Sequence, residues 1–170
     1  GIADGMTSRA LPDTGIYTVR TLAHQDHRAW EALYRAYGDF YMREATSATL
    51  VALWDWLHDP ERPIWGLVAC DMNGTPCGLA HYQEILSPLR GTAIGHLDDL
   101  FVAPEHRGRD VGRTILDHLR TEARRRNWPI VRWITHTDNV HARALYDHVA
   151  GPTDWLLYTM DSTKSETVTT

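Results

Sequence analysis

Nowhere in these 170 residues does an apolar run approach the roughly 20 needed to cross a bilayer. No basic-then-apolar leader opens the chain either, so the expectation is a cytoplasmic protein without membrane contact. A basic surplus is also missing. Seventeen Lys and Arg face 22 Asp and Glu, and a formal charge of −5 argues against a general nucleic-acid binder. The short run Arg124-Arg125-Arg126 then reads as the favourable positive end of a helix. Cysteine is scarce, and Cys70 and Cys77 cannot build a disulfide framework. They flank Asn73-Gly74, a strong hairpin signal. A two-residue turn there would set Cys70 opposite Cys77 at a hydrogen-bonded pair, too widely spaced for a good disulfide. Free thiols in a reducing compartment are expected.

What is present is ordinary for a soluble globular chain: 43% hydrophobic and 23% charged residues, enough for one domain with a proper core. Residues 1–16 show little periodicity and read as a flexible leader, 17–161 as the domain, and 162–170 as a polar tail. Tyr17 to Leu22 alternates like a strand. Asp26 can cap a helix whose apolar stripe is Trp30, Leu33, Tyr34 and Tyr37. A second helix is predicted from Ala45 to His58. Trp65–Met72 and Thr75–Leu86 form the hairpin, and Ala93–Ala103 a further strand. Val111, Ile115, Leu116, Leu119 and Ala123 mark the buried face of the next helix. Ile130–His136 reads as a strand, Asn139–Ala150 as a helix, and Trp155–Met160 as a last strand. A strand–helix–strand crossover after antiparallel strands predicts an α+β sheet with one parallel pair.

Chemistry is concentrated in Pro104–Leu116, "PEHRGRDVGRTIL", where three arginines and two glycines crowd a turn that becomes a helix. The first helical N–H groups lack partners and carry partial positive charge, which suits a diphosphate. Gly108 and Gly112 let the backbone come close, while Arg107, Arg109 and Arg113 supply charge. Asp110 is the anomaly, a fixed negative charge inside this cradle.

"HLDDLFVAPEHRGRDVGRTILDHL" followed by "WITHTDNVHARALYDHVAG" resembles the GNAT superfamily of acyl-CoA-dependent N-acyltransferases. Arg107-Gly108-Arg109-Asp110-Val111-Gly112 fits the acyl-CoA signature Arg/Gln-x-x-Gly-x-Gly/Ala except at Asp110, where the family has glycine. Asn139, Ala142 and Tyr146 meet a second element, and Leu100-Phe101-Val102 the strand before the loop. The resemblance spans roughly residues 17 to 161 and leans toward a polyamine- and histone-type branch. It implies an α+β fold in which a mixed, mostly antiparallel sheet of six to seven strands is flanked by about four helices. It also implies acetyl-CoA as co-substrate, and direct attack by a primary amine: a small amine, a polyamine or a lysine-like side chain. No cysteine near the signature could carry an acyl group. A non-catalytic acyl-CoA-binding regulator on the same fold is the alternative, kept open by Asp110. Aspartate tolerates a left-handed backbone, so the turn should survive, with weakened cofactor affinity.

By the same resemblance Tyr146 is the acid that protonates the departing thiolate, although it also completes an apolar helical stripe. Asn139 holds the pantetheine arm or caps its helix. Backbone groups of Phe101 and Val102 pair with the pantetheine amides. The base lies among His96, Asp98 and Asp99, with the aspartates favoured. Strict alternation puts His96 and Asp98 on one face and Asp99 on the other, unless a bulge breaks the parity. His81 reads as a half-buried sheet residue. The acceptor site belongs to the first two helices, where Tyr37, Asp39, Phe40 and Tyr41 offer acid and aromatics to a cation. "HQDH" at His24–His27 is explained by capping, and no metal is expected. The family also implies a homodimer, formed around Trp155–Met160.

Overall fold

Alternation along a strand decides which side of a sheet each residue serves, and here both sides are covered. Leu67 and Ala69 belong to one core, Val68 and Cys70 to the other, so the run Leu67–Cys70 is buried throughout. The computed structural model describes residues 16–41 and 43–164, so most of the expected leader and the end of the tail lie outside it. Its elements are β1 (Thr18–Thr21), α1 (His27–Phe40), α2 (Ser47–His58), β2 (Ile64–Cys70), β3 (Pro76–Ser87), β4 (Thr92–Val102), α3 (Val111–Arg125), β5 (Val131–Arg132) and α4 (Val140–Val149).

The five strands are ordered β1-β2-β3-β4-β5, antiparallel except for the β4–β5 pair. The mixed, mostly antiparallel sheet is as expected, but it has five strands among the described residues instead of six or seven. Residues 155–160 form no strand: Trp155, Leu156, Leu157, Tyr158 and Met160 are 66–92% exposed. β5 is also shorter than predicted, two residues instead of seven.

Val111, Ile115, Leu116, Leu119 and Ala123 of α3 pack on Leu67, Ala69, Ala80, Tyr82 and Leu97. Across the sheet, Trp30 and Leu33 of α1 and Leu50 and Leu53 of α2 pack on Val68, Leu79 and Phe101. Asp26 precedes α1 but makes no side-chain cap bond to it. Its carboxylate instead reaches back to the Ala23 amide at 2.8 Å and takes two bonds from the Arg20 guanidinium, at 2.7 and 2.8 Å. These tie β1 to the start of α1. The hairpin loop is longer than the predicted two residues. Asp71 bonds the Asn73 and Thr75 amides, and Gly74 adopts a φ of +78°. Cys70 therefore pairs with Pro76, not with Cys77, and both cysteines are free and buried. The arginine run is used within the fold: Arg125 and Arg126 both bind Glu122, and Arg126 lies 3.6 Å over the Trp65 ring.

Candidate active site

The parallel pair at the end of the sheet is brief, and that opens the site. β4 meets β5 only at Gly95–Val131 and His96–Arg132. Beyond His96 the two chains part, leaving Leu97–Val102 paired with β3 on one side and with no strand on the other among the described residues. An open strand edge carries unpaired N–H and C=O groups, and those can bind an extended amide chain. The cleft so formed, about 550 Å³, is bounded by Leu100–Val102, by the turn into α3, by α4 and by the end of α1.

At the turn, Gly108 has a φ of +75° and Asp110 a φ of +62°, a left-handed backbone that glycine tolerates freely and aspartate better than most residues. The expected geometry is present. The Asp110 side chain caps no helical amide; its carbonyl accepts from the Thr114 amide and hydroxyl. A Cβ at Gly112 would stand 3.2 Å from Leu145 and 4.0 Å from Val102, so glycine lets α3 approach both α4 and β4. Arg113 and the buried Val111 line the cleft, and exposed Arg109 does not. Arg107, expected to supply charge, is engaged with its neighbours. Its guanidinium lies 5.3 Å from the Phe40 ring and 5.5 Å from Phe101, and its Nε donates to the Val102 carbonyl at 3.1 Å.

Asn139 caps α4, its Oδ1 accepting from the Ala142 amide, and its Nδ2 donates to the Tyr41 hydroxyl at 3.4 Å. That contact joins α4 to the residue ending α1. Tyr146, half-buried in the cleft wall beside Ala142, meets the Trp133 ring edge-on at 5.4 Å. Burial, reinforced by Tyr41, pushes its hydroxyl up to about 12.

The carboxylates follow from a bulge. β3 and β4 pair as His81–Asp99 and then as Tyr82–Leu97, leaving Asp98 as the extra residue. Strand parity reverses there: Leu97 joins the α3-side core, whereas Asp99, like Phe101, faces α1. Strict alternation would have separated Asp98 from Asp99; the bulge brings both to one face. Gln83 donates to both Asp98 oxygens at 3.0 and 2.9 Å, and His96 Nε2 lies 3.6 Å away. Asp99 Oδ2 accepts from His81 Nδ1 at 2.9 Å and from the Tyr34 hydroxyl at 3.3 Å. Burial raises the Asp98 carboxyl above its ordinary range against the pull of Gln83 and His96. Burial acts on Asp99 too, but hydrogen bonds from His81, Tyr37 and Tyr34 outweigh it and hold this carboxyl below its usual value.

Tyr37 therefore meets Asp99 and stacks near Tyr34, Tyr41 and Phe101, while Phe40 and Tyr41 line the cleft. Asp39 is exposed and does not line it, and Tyr37, His96, Asp98 and Asp99 stand outside its lining, farther along the α1-facing side of β4. Sequence reasoning missed Tyr34 as a partner of Asp99. It also missed His106, His141 and His148, which line the cleft. His81 is 1% exposed, not half-buried.

A model of the acetyltransferase (GNAT) family matches residues 30–151, more than half of the chain. The chain belongs to this family and is an acetyltransferase. It is 29% identical over 141 residues to the D-amino-acid N-acetyltransferase HPA3 of Saccharomyces cerevisiae, covering 82% of this chain and 88% of that protein. Ribosomal-protein-alanine N-acetyltransferase from Brucella melitensis superposes with a TM-score of 0.67 at 24% identity, over 85% of this chain and 98% of that one. AAC(6')-Iy, bound to the bisubstrate analogue CoA-S-monomethyl-acetylneamine, superposes with a TM-score of 0.72 at 13% identity, over 85% and 97%. At these identities the two structures establish the fold.

Proposed function

We propose that the chain moves an acetyl group from acetyl-CoA to a primary amine by direct attack in the β4–α4 cleft. The observation that carries this is the bulge, which places two carboxylates with different proton affinities on the face toward α1. Asp99, the more acidic, holds the acceptor as an ammonium beside Tyr34 and Tyr37. Asp98, the more basic, takes the proton that frees the nitrogen lone pair, and His96 beside it passes that proton toward solvent. The nitrogen then bonds to the thioester carbonyl carbon. When the carbon–sulfur bond breaks, Tyr146 gives its proton to the departing sulfur, and the second proton, lost by the nitrogen as it becomes an amide, returns to Tyr146 through solvent. The net release is coenzyme A, the amide and one proton.

Leu100–Val102 offer their open edge to the pantetheine amides, with Arg107 giving up the Val102 carbonyl or sharing its second lone pair. The α3 amides and Arg113 take the diphosphate. The test is thiol release from acetyl-CoA with a panel of small amines, polyamines, lysine peptides, D-amino acids and aminoglycosides. Turnover on one of these classes supports the reading. Tight acetyl-CoA binding without turnover on any of them favours the regulator alternative.

Asp110 opposes the diphosphate at short range, an effect of about 1 kcal/mol in water-exposed surroundings. Asp110→Gly should therefore tighten coenzyme A binding about fivefold by calorimetry. No cap bond is lost, and relief of the left-handed backbone should raise the melting temperature. Unchanged or weaker binding would remove the electrostatic argument.

The exposed apolar segment 155–160 supports a homodimer in which it covers the groove between α3 and β5, lined by Leu116, Leu119, Trp128, Val131 and Trp133. Light scattering should then give twice the chain mass of 19.4 kDa. Leu156→Glu/Leu157→Glu should halve it, and a monomeric wild type would refute the dimer. The two buried free thiols support a cytoplasmic location.

A further inference from the structure

The acceptor carboxylate is the end of a hydrogen-bonded chain that begins in the core. Trp30 of α1 is fully buried, and its indole N–H donates to His81 Nε2 at 2.9 Å. An indole can only donate, so Nε2 must present its lone pair and the imidazole proton must sit on Nδ1. From there it is donated to Asp99 Oδ2. The ring has both nitrogens engaged inside the protein, at 1% exposure, on the strand position paired with Asp99. Tyr34, one turn after Trp30 on the same face of α1, donates to the same oxygen. Both bonds land on Oδ2, leaving Oδ1 available to a bound cation.

We infer that Trp30 and His81 are positioning residues that fix Asp99 with Oδ1 presented to the acceptor ammonium, so that a primary amine is held by one oriented carboxylate oxygen between tyrosine rings. This rests on the reading of Asp99 given above. The charged and titratable groups facing Asp99 are Tyr34 and Tyr37 from α1, His81 from β3, and Asp98 and His96 from β4 itself. None is a lysine or arginine, so the donors of the relay are what keep an anion here. The relay crosses three elements, α1, β3 and β4, so neither local sequence nor the signature loop contains it.

The test uses His81→Leu, His81→Gln and Trp30→Phe in the full chain. Glutamine can accept from the indole and donate to the carboxylate, so it restores both bonds. His81→Leu should raise the KM for amine about 30-fold, as expected for losing a hydrogen bond to a charged group, with the KM for acetyl-CoA unchanged. It should also move the acid limb of the amine kcat/KM profile to higher pH. His81→Gln should stay within threefold of wild type. Trp30→Phe should release the His81 tautomer, read as a change in its imidazole nitrogen resonances. Independently of activity, the Asp99 carboxyl carbon should titrate at higher pH in His81→Leu than in wild type. Folded His81→Leu with wild-type amine KM and unmoved Asp99 titration would overturn the relay. If His81→Leu does not fold, loss of amine affinity in His81→Gln equal to a tenfold effect or more would overturn it instead. A wild type that moves no acetyl group to any amine, with the carboxyl titration still shifted by the variant, would overturn the reading of Asp99 and leave the relay.

Discussion

Tyr146→Phe is expected to lower kcat about 100-fold while leaving the KM for acetyl-CoA within about twofold, the usual scale for a positioned general acid. The substitution removes one oxygen. The ring keeps its edge contact with Trp133 and its place beside Ala142, so stability should barely change. A hydroxyl pushed up to about 12 by burial stays protonated across the working range. It can donate to a thiolate and is unsuited to accept from an ammonium. Two consequences follow from that sign. No alkaline limb below about pH 10 should belong to Tyr146. The defect should also shrink with an acetyl thioester of an acidic aromatic thiol, whose sulfur leaves without a proton. A variant equally slow with both donors would mean that Tyr146 only packs.

Asp99→Asn should raise the KM for amine about 50-fold, the scale of a hydrogen bond between charged groups. The change in kcat should be small, because the base is assigned to Asp98. Asp98→Asn should show the opposite split, with kcat falling and amine KM nearly retained. Steady-state kinetics on both variants separates these roles. The same substitution has a stability signature. The Asp99 carboxyl lies below its ordinary value in the folded state, so it stabilises the fold above about pH 4 and that contribution is lost as pH falls further. Urea titrations between pH 3 and 6 should show a shallower acid loss for Asp99→Asn than for wild type. Equal slopes would mean that the carboxylate gains nothing from its partners.

The helices were legible because each writes its buried face at a 3.6-residue period: Trp30, Leu33 and Tyr34 in α1, and Val111, Ile115 and Leu119 in α3. The phosphate loop was legible because its chemistry is contiguous, from Arg107 to Arg113. What was left open or escaped depended on pairing between distant segments. A single unpaired residue, Asp98, reverses which side of β4 each neighbour faces, and nothing in "HLDDLF" announces it beyond two adjacent acids. Trp30 and His81 are 51 positions apart, and each alone looks like an apolar-stripe aromatic and a sheet histidine. Apolar periodicity alone also overstated the strands. Ile130–His136 has the right composition, yet its chain leaves β4 after two residues, and that departure creates the cleft. Trp155–Met160 has strand-like residues but no partner strand within this chain's described residues.

A crystal structure with coenzyme A and a bound amine tests the central claim most directly. The diphosphate is expected on the amides from Gly108 to Arg113, pantetheine along the open edge of Leu100–Val102, sulfur beside the Tyr146 hydroxyl, and the amine nitrogen against Asp99 Oδ1. Coenzyme A bound elsewhere, or an amine placed away from the two aspartates, would contradict it.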